Sequence, residues 1–115
     1  MEYCNNFEFD LKLGQIKEQE LGYIFNNKTI EVKTDLQASE TGRVFVEYES
    51  RNKPSGISKT KADYYCFVIS KFSYIIIKTT ELKNKCRKYL KTSLDKRGGD
   101  NNTSKGILLP LVELV

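Results

Sequence analysis

Two acidic segments lie close together in the first half of the chain, Ile30–Asp35 and Val44–Glu49. Charged side chains occupy alternate positions in each, namely Glu31, Lys33 and Asp35 in the first and Glu47 and Glu49 in the second. Because side chains alternate between the two faces of a strand, pairing of the strands would collect these groups on one surface. Carboxylate oxygens are the ligands that Mg²⁺ prefers, and a nearby ammonium can stabilise a developing oxyanion. The spacing therefore predicts a metal-assisted hydrolytic site, although the same alternation is also typical of a solvated sheet face.

Histidine is absent from the chain, which excludes Ser-His-Asp and Cys-His catalysis and histidine-ligated metal within it. Three cysteines, Cys4, Cys66 and Cys86, are widely spaced and form no CxxC pair. That count disfavours a disulfide framework or a thiolate zinc site and favours reduced thiols. Hydrolytic chemistry here must therefore use carboxylates, lysine, metal and water.

The length of 115 residues predicts a single domain over residues 1–115. A hydrophobic content of 39% and a charged content of 30% are typical of a soluble globular protein. No apolar run approaches the ~18 residues of a membrane span. The first residues lack the basic and apolar regions of a signal peptide, so we expect a cytoplasmic protein that does not bind membranes.

Positive charge is concentrated late in the chain. The net charge is only +4, but residues 81–97 carry a run of cations against Glu81 and Asp95: Lys83, Lys85, Arg87, Lys88, Lys91, Lys96 and Arg97. Much of the acidic charge lies in the first half. This uneven distribution of acidic and basic residues suits a metal site in one region and a phosphate-binding surface in another. A basic helix face, however, commonly serves solubility alone.

Residues 12–25 are predicted to form a helix, because apolar residues recur there at a spacing of three to four. Glu20 falls on the apolar face and Glu18 on its rim. A buried acid is costly unless it meets a cation or a metal, whereas solvated glutamates would need no such partner. Glu18 is therefore a candidate site residue.

The remaining pattern predicts alternating strands and connections. Thr79 or Thr80 is expected to cap a second helix, and Pro110 to mark its strand as an edge. The strands are expected over 28–35, 43–50, 63–70, 74–78 and 107–115, with loops over 36–42, 51–60 and 97–106. The order α-β-β-β-β-α-β predicts an α/β (α+β) protein with a mixed central sheet of about five strands flanked by helices.

A helix with Gly14-x-x-x-Glu18, followed by a strand with Glu31-x-Lys33, resembles the PD-(D/E)XK nuclease superfamily. The likeness is strongest to archaeal-type Holliday-junction resolvases and small phage nucleases, and it extends to Lys53–Ile57 and Thr60–Tyr64. The resemblance implies a restriction-endonuclease-like core and a nuclease that hydrolyses DNA phosphodiester bonds. It further implies Mg²⁺ as cofactor, with Mn²⁺ as substitute, and DNA as partner, branched DNA included.

The chain departs from the family at the aspartate that normally precedes the ExK strand. Either Asp35 or Glu47 supplies the missing ligand, or Glu31 takes the aspartate position and Glu47 the glutamate position, with Lys33 arriving from the neighbouring strand. The second arrangement leaves Glu49 where the family has lysine. In both, Glu31, Asp35 and Glu47 are the metal ligands, and Glu18 completes the shell or orients water.

Flanking phosphates are expected to contact basic side chains of the 51–61 loop and of the second helix. These candidates are Arg51, Lys53, Lys59, Lys61, Lys83 and Arg87. Cleavage of two strands would favour a two-fold homodimer. Two other interpretations stay open: a non-catalytic DNA-binding module on a nuclease-like scaffold, and an α+β protein whose acidic face meets a protein partner.

Overall fold

The computed structural model describes residues 10–12, 27–98 and 100–115. In chain order its strands are β1 (Asp10–Lys12), β2 (Ile30–Thr34), β3 (Arg43–Ser50), β4 (Lys53–Pro54), β5 (Tyr64–Ser70), β6 (Ser73–Lys78), β7 (Asp95–Gly98) and β8 (Ser104–Pro110). Two α-helices lie within the described residues, α1 (Ala38–Thr41) and α2 (Thr79–Arg87). Short 3₁₀ turns cover Gly56–Ser58, Asp100–Asn102 and Leu111–Leu114. The α+β class is thus confirmed.

The first sheet has the order β1-β6-β5-β2 and is mixed. β5 and β6 pair antiparallel, whereas β1 pairs parallel with β6 and β2 pairs parallel with β5. The two inner strands are rich in aromatic and β-branched residues, as in Tyr64–Ser70, which favour a pleated and buried surface. β2 lies at one end of this sheet.

The second sheet has the order β4-β3-β8-β7 and is antiparallel throughout. The expected single central sheet of about five strands is therefore wrong, since the strands among the described residues divide into two sheets of four. Pro110 does not mark an edge strand, because β8 lies inside this sheet. Proline is tolerated there because it is the last residue of β8, opposite Arg43, and β7 pairs with β8 only as far as Ile107.

One hydrophobic core joins the two sheets and α2. It contains Tyr65, Phe67, Ile75 and Ile77 of the first sheet, Val44, Val46, Ile107 and Leu109 of the second, and Leu82 and Cys86 of α2. Burying a side chain of this size contributes about 1.5–3 kcal/mol. A smaller cluster of Cys66 and Ile76 lies on the other face of the first sheet. This core fixes the position of β3 relative to β5, with which β2 pairs, and β2 and β3 carry the predicted site.

The element boundaries agree with expectation over the middle of the chain. β3 covers the predicted range, while β2, β5, β6 and the start of α2 fall within two residues of it. The expected loop over 97–106 is too long at both ends, because β7 ends at Gly98 and β8 begins at Ser104. The last strand ends at Pro110 rather than at Val115 and continues as a 3₁₀ turn. Of the predicted helix over 12–25, Lys12 belongs to β1 and the rest lies outside the described residues.

The expected loop over 36–42 contains the short helix α1. No helix in the described ranges is long and apolar enough to cross a membrane.

Candidate functional site

β2 presents its charged residues on the side of the sheet that faces the main core. Glu31 is the register partner of Tyr65, and Lys33 is the partner of Phe67, both of which belong to that core. Ile30 pairs instead with Tyr64, on the opposite face. The predicted alternation along this strand is confirmed. Because β2 ends the sheet, its charged side chains retain access to solvent.

β2 and β3 do not pair with each other, contrary to the arrangement from which the site was predicted, because they belong to different sheets. Their charged residues nevertheless meet. Lys33 of β2 and Glu47 of β3 line the same cavity of about 210 Å³, together with Gly56 and Tyr65. We call this cavity, with the adjoining Glu31, the acid pocket. Charged residues thus converge across two sheets rather than along one.

The carboxylate of Glu31 is held by two neighbours. Its Oε1 accepts a hydrogen bond of 3.2 Å from Oγ1 of Thr60, and its Oε2 lies 3.5 Å from Nζ of Lys33. The Lys33 side chain is 51% exposed, so this ion pair is screened by solvent and contributes little stability. The exposed ammonium can instead approach an anion from solution.

Glu47 is fixed by the loop that follows β3. Its Oε2 accepts a 2.7 Å hydrogen bond from Oγ of Ser55. The next residue, Gly56, has φ +50°, and a Cβ atom there would lie 2.2 Å from the backbone oxygen of Glu47. Only glycine allows the chain to approach β3 so closely in this conformation. Gly56 is therefore a positioning residue for the Glu47 carboxylate.

Tyr65 was not predicted as a site residue. It is buried, and its pKa is raised to about 12, mainly by burial and next by the negative charge of Glu31, with a smaller contribution from Glu47. A hydrogen bond with Thr60 opposes the shift. The charges of both carboxylates therefore favour the protonated form of the Tyr65 hydroxyl. No local pattern indicates this role, because Tyr65 is brought beside Glu31 only by the pairing of β2 with β5.

Asp35 and Glu49 are engaged elsewhere. Asp35 Oδ1 accepts a 3.1 Å hydrogen bond from the backbone N–H of Gln37 in the turn before α1, and Glu49 lies 3.8 Å from Nζ of Lys105. In the part of the chain that the structure describes, no three Asp, Glu, Cys or His residues lie close enough to hold a metal ion. The expected ligand set of Glu31, Asp35 and Glu47 is therefore not assembled. Separation of β2 and β3 into two sheets accounts for this.

Glu18, the fourth predicted catalytic residue, lies outside the described residues.

The predicted phosphate contacts fall into two groups. Arg51, Lys53, Lys59 and Lys61 are exposed along the segment that follows β3 and leads to β5, near the acid pocket through Ser55 and Gly56. Lys83 and Arg87 line a different cavity on the other side of this segment. The two groups therefore do not form one surface around the acid pocket.

No protein-family model, no curated protein and no solved structure matches this chain. The chemistry of the acid pocket has to be inferred from its own residues.

Proposed function

We propose that this chain is a metal-dependent nuclease that hydrolyses DNA phosphodiester bonds at the acid pocket. The supporting observation is the convergence of Lys33 and Glu47, from different sheets, on one cavity beside Glu31 and Tyr65. Glu31-x-Lys33 on a single strand face corresponds to the ExK motif of the PD-(D/E)XK superfamily. The role of the ExK glutamate then falls to Glu31, and Glu47 supplies the second acid.

Two carboxylates suit Mg²⁺ or Mn²⁺, since Mg²⁺ in phosphoryl-transfer sites is commonly bound by one or two carboxylates together with water and substrate phosphate. Glu31 and Glu47 would hold the ion, with Glu18 as the candidate for a further ligand. The bound ion would supply polarisation of the scissile phosphate and a lowered pKa of bound water.

The remaining residues of the pocket act on the substrate through charge and hydrogen bonds. The Lys33 ammonium, which is half exposed, neutralises negative charge on the phosphate as the bond breaks. Tyr65 remains protonated at neutral pH, because burial and the charges of both carboxylates raise its pKa. Ser55 and Thr60 hold the two carboxylates in place. Arg51, Lys53, Lys59 and Lys61 bind flanking phosphates, which makes DNA binding sensitive to salt.

The proposal is tested with Glu31→Gln and Glu47→Gln, which keep side-chain size and remove charge. Labelled branched, single-stranded and duplex DNAs are incubated with Mg²⁺, Mn²⁺ or EDTA. We expect either substitution to lower metal-dependent cleavage by at least about 100-fold, because each removes one of two ligands. The matched control is Glu40→Gln on α1, where Glu40 is exposed and lines none of the cavities described here.

Cleavage by purified Glu31→Gln protein at the wild-type rate would remove the acid pocket from consideration as the catalytic site. Cleavage that persists in EDTA would argue against a metal.

A non-catalytic DNA-binding module is the second candidate. It is favoured by the interactions that the two carboxylates already make within the protein. Glu31 accepts a hydrogen bond from Thr60 and forms an ion pair with Lys33, and Glu47 accepts a hydrogen bond from Ser55. Titration calorimetry with Mn²⁺ separates the two functions, because a site without metal affinity gives no stoichiometric heat. A protein-interaction module would show no salt-sensitive DNA binding at all.

A further inference from the structure

A second cleft lies beside β3 and α2 and shares no lining residue with the acid pocket. Its first part is a cavity of about 290 Å³ lined by Tyr48, Ile57, Lys83, Arg87 and Leu90, among others. Its second part, also about 290 Å³, is lined by Tyr48 and by residues of β7 and β8: Asp95, Lys96, Arg97 and Lys105. Because Tyr48 lines both, the two cavities adjoin. We call them together the Tyr48 cleft.

The Tyr48 cleft is positively charged. Lys83 and Arg87 lie on its α2 side and Lys96, Arg97 and Lys105 on its sheet side. Asp95 is its acidic lining residue, and its carboxylate already accepts hydrogen bonds from the Tyr48 hydroxyl at 2.7 Å and from the backbone N–H of Lys91 at 2.8 Å. Glu49 partly offsets Lys105. Since Lys96 and Arg97 are exposed, the cleft presents a net positive surface to an anion.

Apolar groups form the floor and one wall of the same cleft. Ile57 and Ile107 are buried beneath it, whereas Leu90 is 44% exposed at its rim. The Tyr48 ring is held in place by the hydrogen bond from its hydroxyl to Asp95. Burial, followed by Asp95, raises the pKa of Tyr48 to about 12, so the ring stays uncharged. A flat apolar group can therefore contact Tyr48 and Leu90 while charged groups reach the surrounding cations.

We propose that the Tyr48 cleft binds single-stranded nucleic acid, with phosphates on the cations and an unstacked base against Tyr48 and Leu90. A single strand offers an anionic backbone together with exposed base faces, which are the two chemistries of this cleft. A duplex offers the phosphates but hides the base faces in its stack, so it cannot use the apolar floor. The binding requires neither metal nor the acid pocket and is therefore independent of the proposed cleavage.

The charge is tested with the Lys96→Glu/Arg97→Glu protein, by fluorescence anisotropy of a labelled 12-nucleotide single strand in EDTA. We expect at least a tenfold loss of affinity. The slope of log K against log salt should become shallower by about 1.4, since each phosphate contact of a single strand contributes about 0.7. The control is Lys71→Glu/Lys78→Glu, which changes net charge equally at two exposed lysines that line neither part of the cleft.

The apolar contact is tested separately with Leu90→Ala, which should weaken single-strand binding severalfold while leaving the salt slope unchanged. Val112→Ala, at a residue that is 75% exposed outside the cleft, is its control. Equal affinity of the Lys96→Glu/Arg97→Glu protein and its charge control would overturn the proposal. So would tighter binding of the matching duplex than of the single strand. Because binding is measured in EDTA and needs no cleavage, a failure of the proposed nuclease activity leaves this result interpretable.

Discussion

The pKa of Tyr65 is raised first by burial and then by the charges of Glu31 and, to a smaller extent, Glu47, so this residue belongs to the electrostatics of the acid pocket. Glu31 and Lys33 could be predicted because alternation along one strand is a local property. That they lie close to Glu47 could not be predicted, since this depends on how the two sheets pack. The role of Tyr65 depends on the register of β2 against β5, which no local pattern encodes. Asp35 has a carboxylate suited to a metal ligand, but that carboxylate accepts a hydrogen bond in the turn before α1.

Gly56 provides a prediction at this scale. Gly56→Ala should lower the free energy of unfolding by about 2–4 kcal/mol, because the added methyl group meets the backbone of Glu47 at φ +50°. Gly42→Ala is the matched control, since Gly42 has φ +77° and nothing within 4 Å of its Cβ position. It should cost only about 1 kcal/mol, the strain of the left-handed conformation. Urea denaturation measures both, and equal losses would contradict the close approach.

At the scale of elements, the first and last residues of the strands were predicted better than which strands pair with each other. Hydrophobic alternation located β3, because its buried residues impose period two, whereas β5 was located as an inner strand by its aromatic and β-branched residues. β7 was missed because its sequence, Asp-Lys-Arg-Gly, has no apolar period, and its strand conformation comes from backbone pairing with β8 at the sheet edge. The helix α2 was predicted from Thr79 or Thr80 as its cap and from its acidic first turn. The cap prediction is wrong, because Thr79 is the first helical residue and the N-cap is Lys78, whose side chain makes no capping hydrogen bond.

The last 3₁₀ turn is tied to α2 through one carboxylate. Glu113 accepts hydrogen bonds from Nζ of Lys88 at 2.8 Å and from the Tyr89 hydroxyl, and it lies 4.0 Å from Nζ of Lys85. The hydrogen bond from Lys88, followed by that from Tyr89, lowers the pKa of Glu113. A lowered pKa in the folded state means that this carboxylate stabilises the fold above its ordinary pKa of about 4.3. The contribution is lost as pH falls through the folded-state value.

Glu113→Gln should therefore lower Tm by about 3–6 °C at pH 7, and by progressively less as the pH falls from 7 through the lowered pKa of Glu113. Calorimetry across this pH range measures the difference. Glu40→Gln, at an exposed residue on α1, should leave the pH dependence unchanged. A Tm difference between wild-type and Glu113→Gln proteins that is constant with pH would contradict the assigned role of Glu113.

At the scale of the whole molecule, β3 separates two surfaces of different chemistry. Glu47 lines the acid pocket and the following residue, Tyr48, lines the positively charged cleft. The charge distribution in the sequence indicated such a separation, with acids early and cations late. The expected restriction-endonuclease-like core is not confirmed, because two four-stranded sheets replace the single central sheet. Sheet membership depends on contacts between distant segments, which composition and periodicity do not specify.

Metal binding at the acid pocket should be visible as a stability change of the whole chain. A ligand at 100 times its Kd stabilises the folded state by about 2.7 kcal/mol, so saturating Mn²⁺ should raise the wild-type Tm. The Glu31→Gln/Glu47→Gln protein should show no such shift, while the Glu40→Gln protein should shift as the wild type does. The same increase in all three proteins would place the metal elsewhere.

Cys86 also lines the Tyr48 cleft. Its pKa is raised to about 12, first by burial and then by the charge of Glu113. Thiolate is therefore scarce at neutral pH, and an alkylating reagent would modify this sulfur slowly. The rate of that modification would report how often α2 moves away from the sheets, and a strand seated in the cleft would protect the sulfur further.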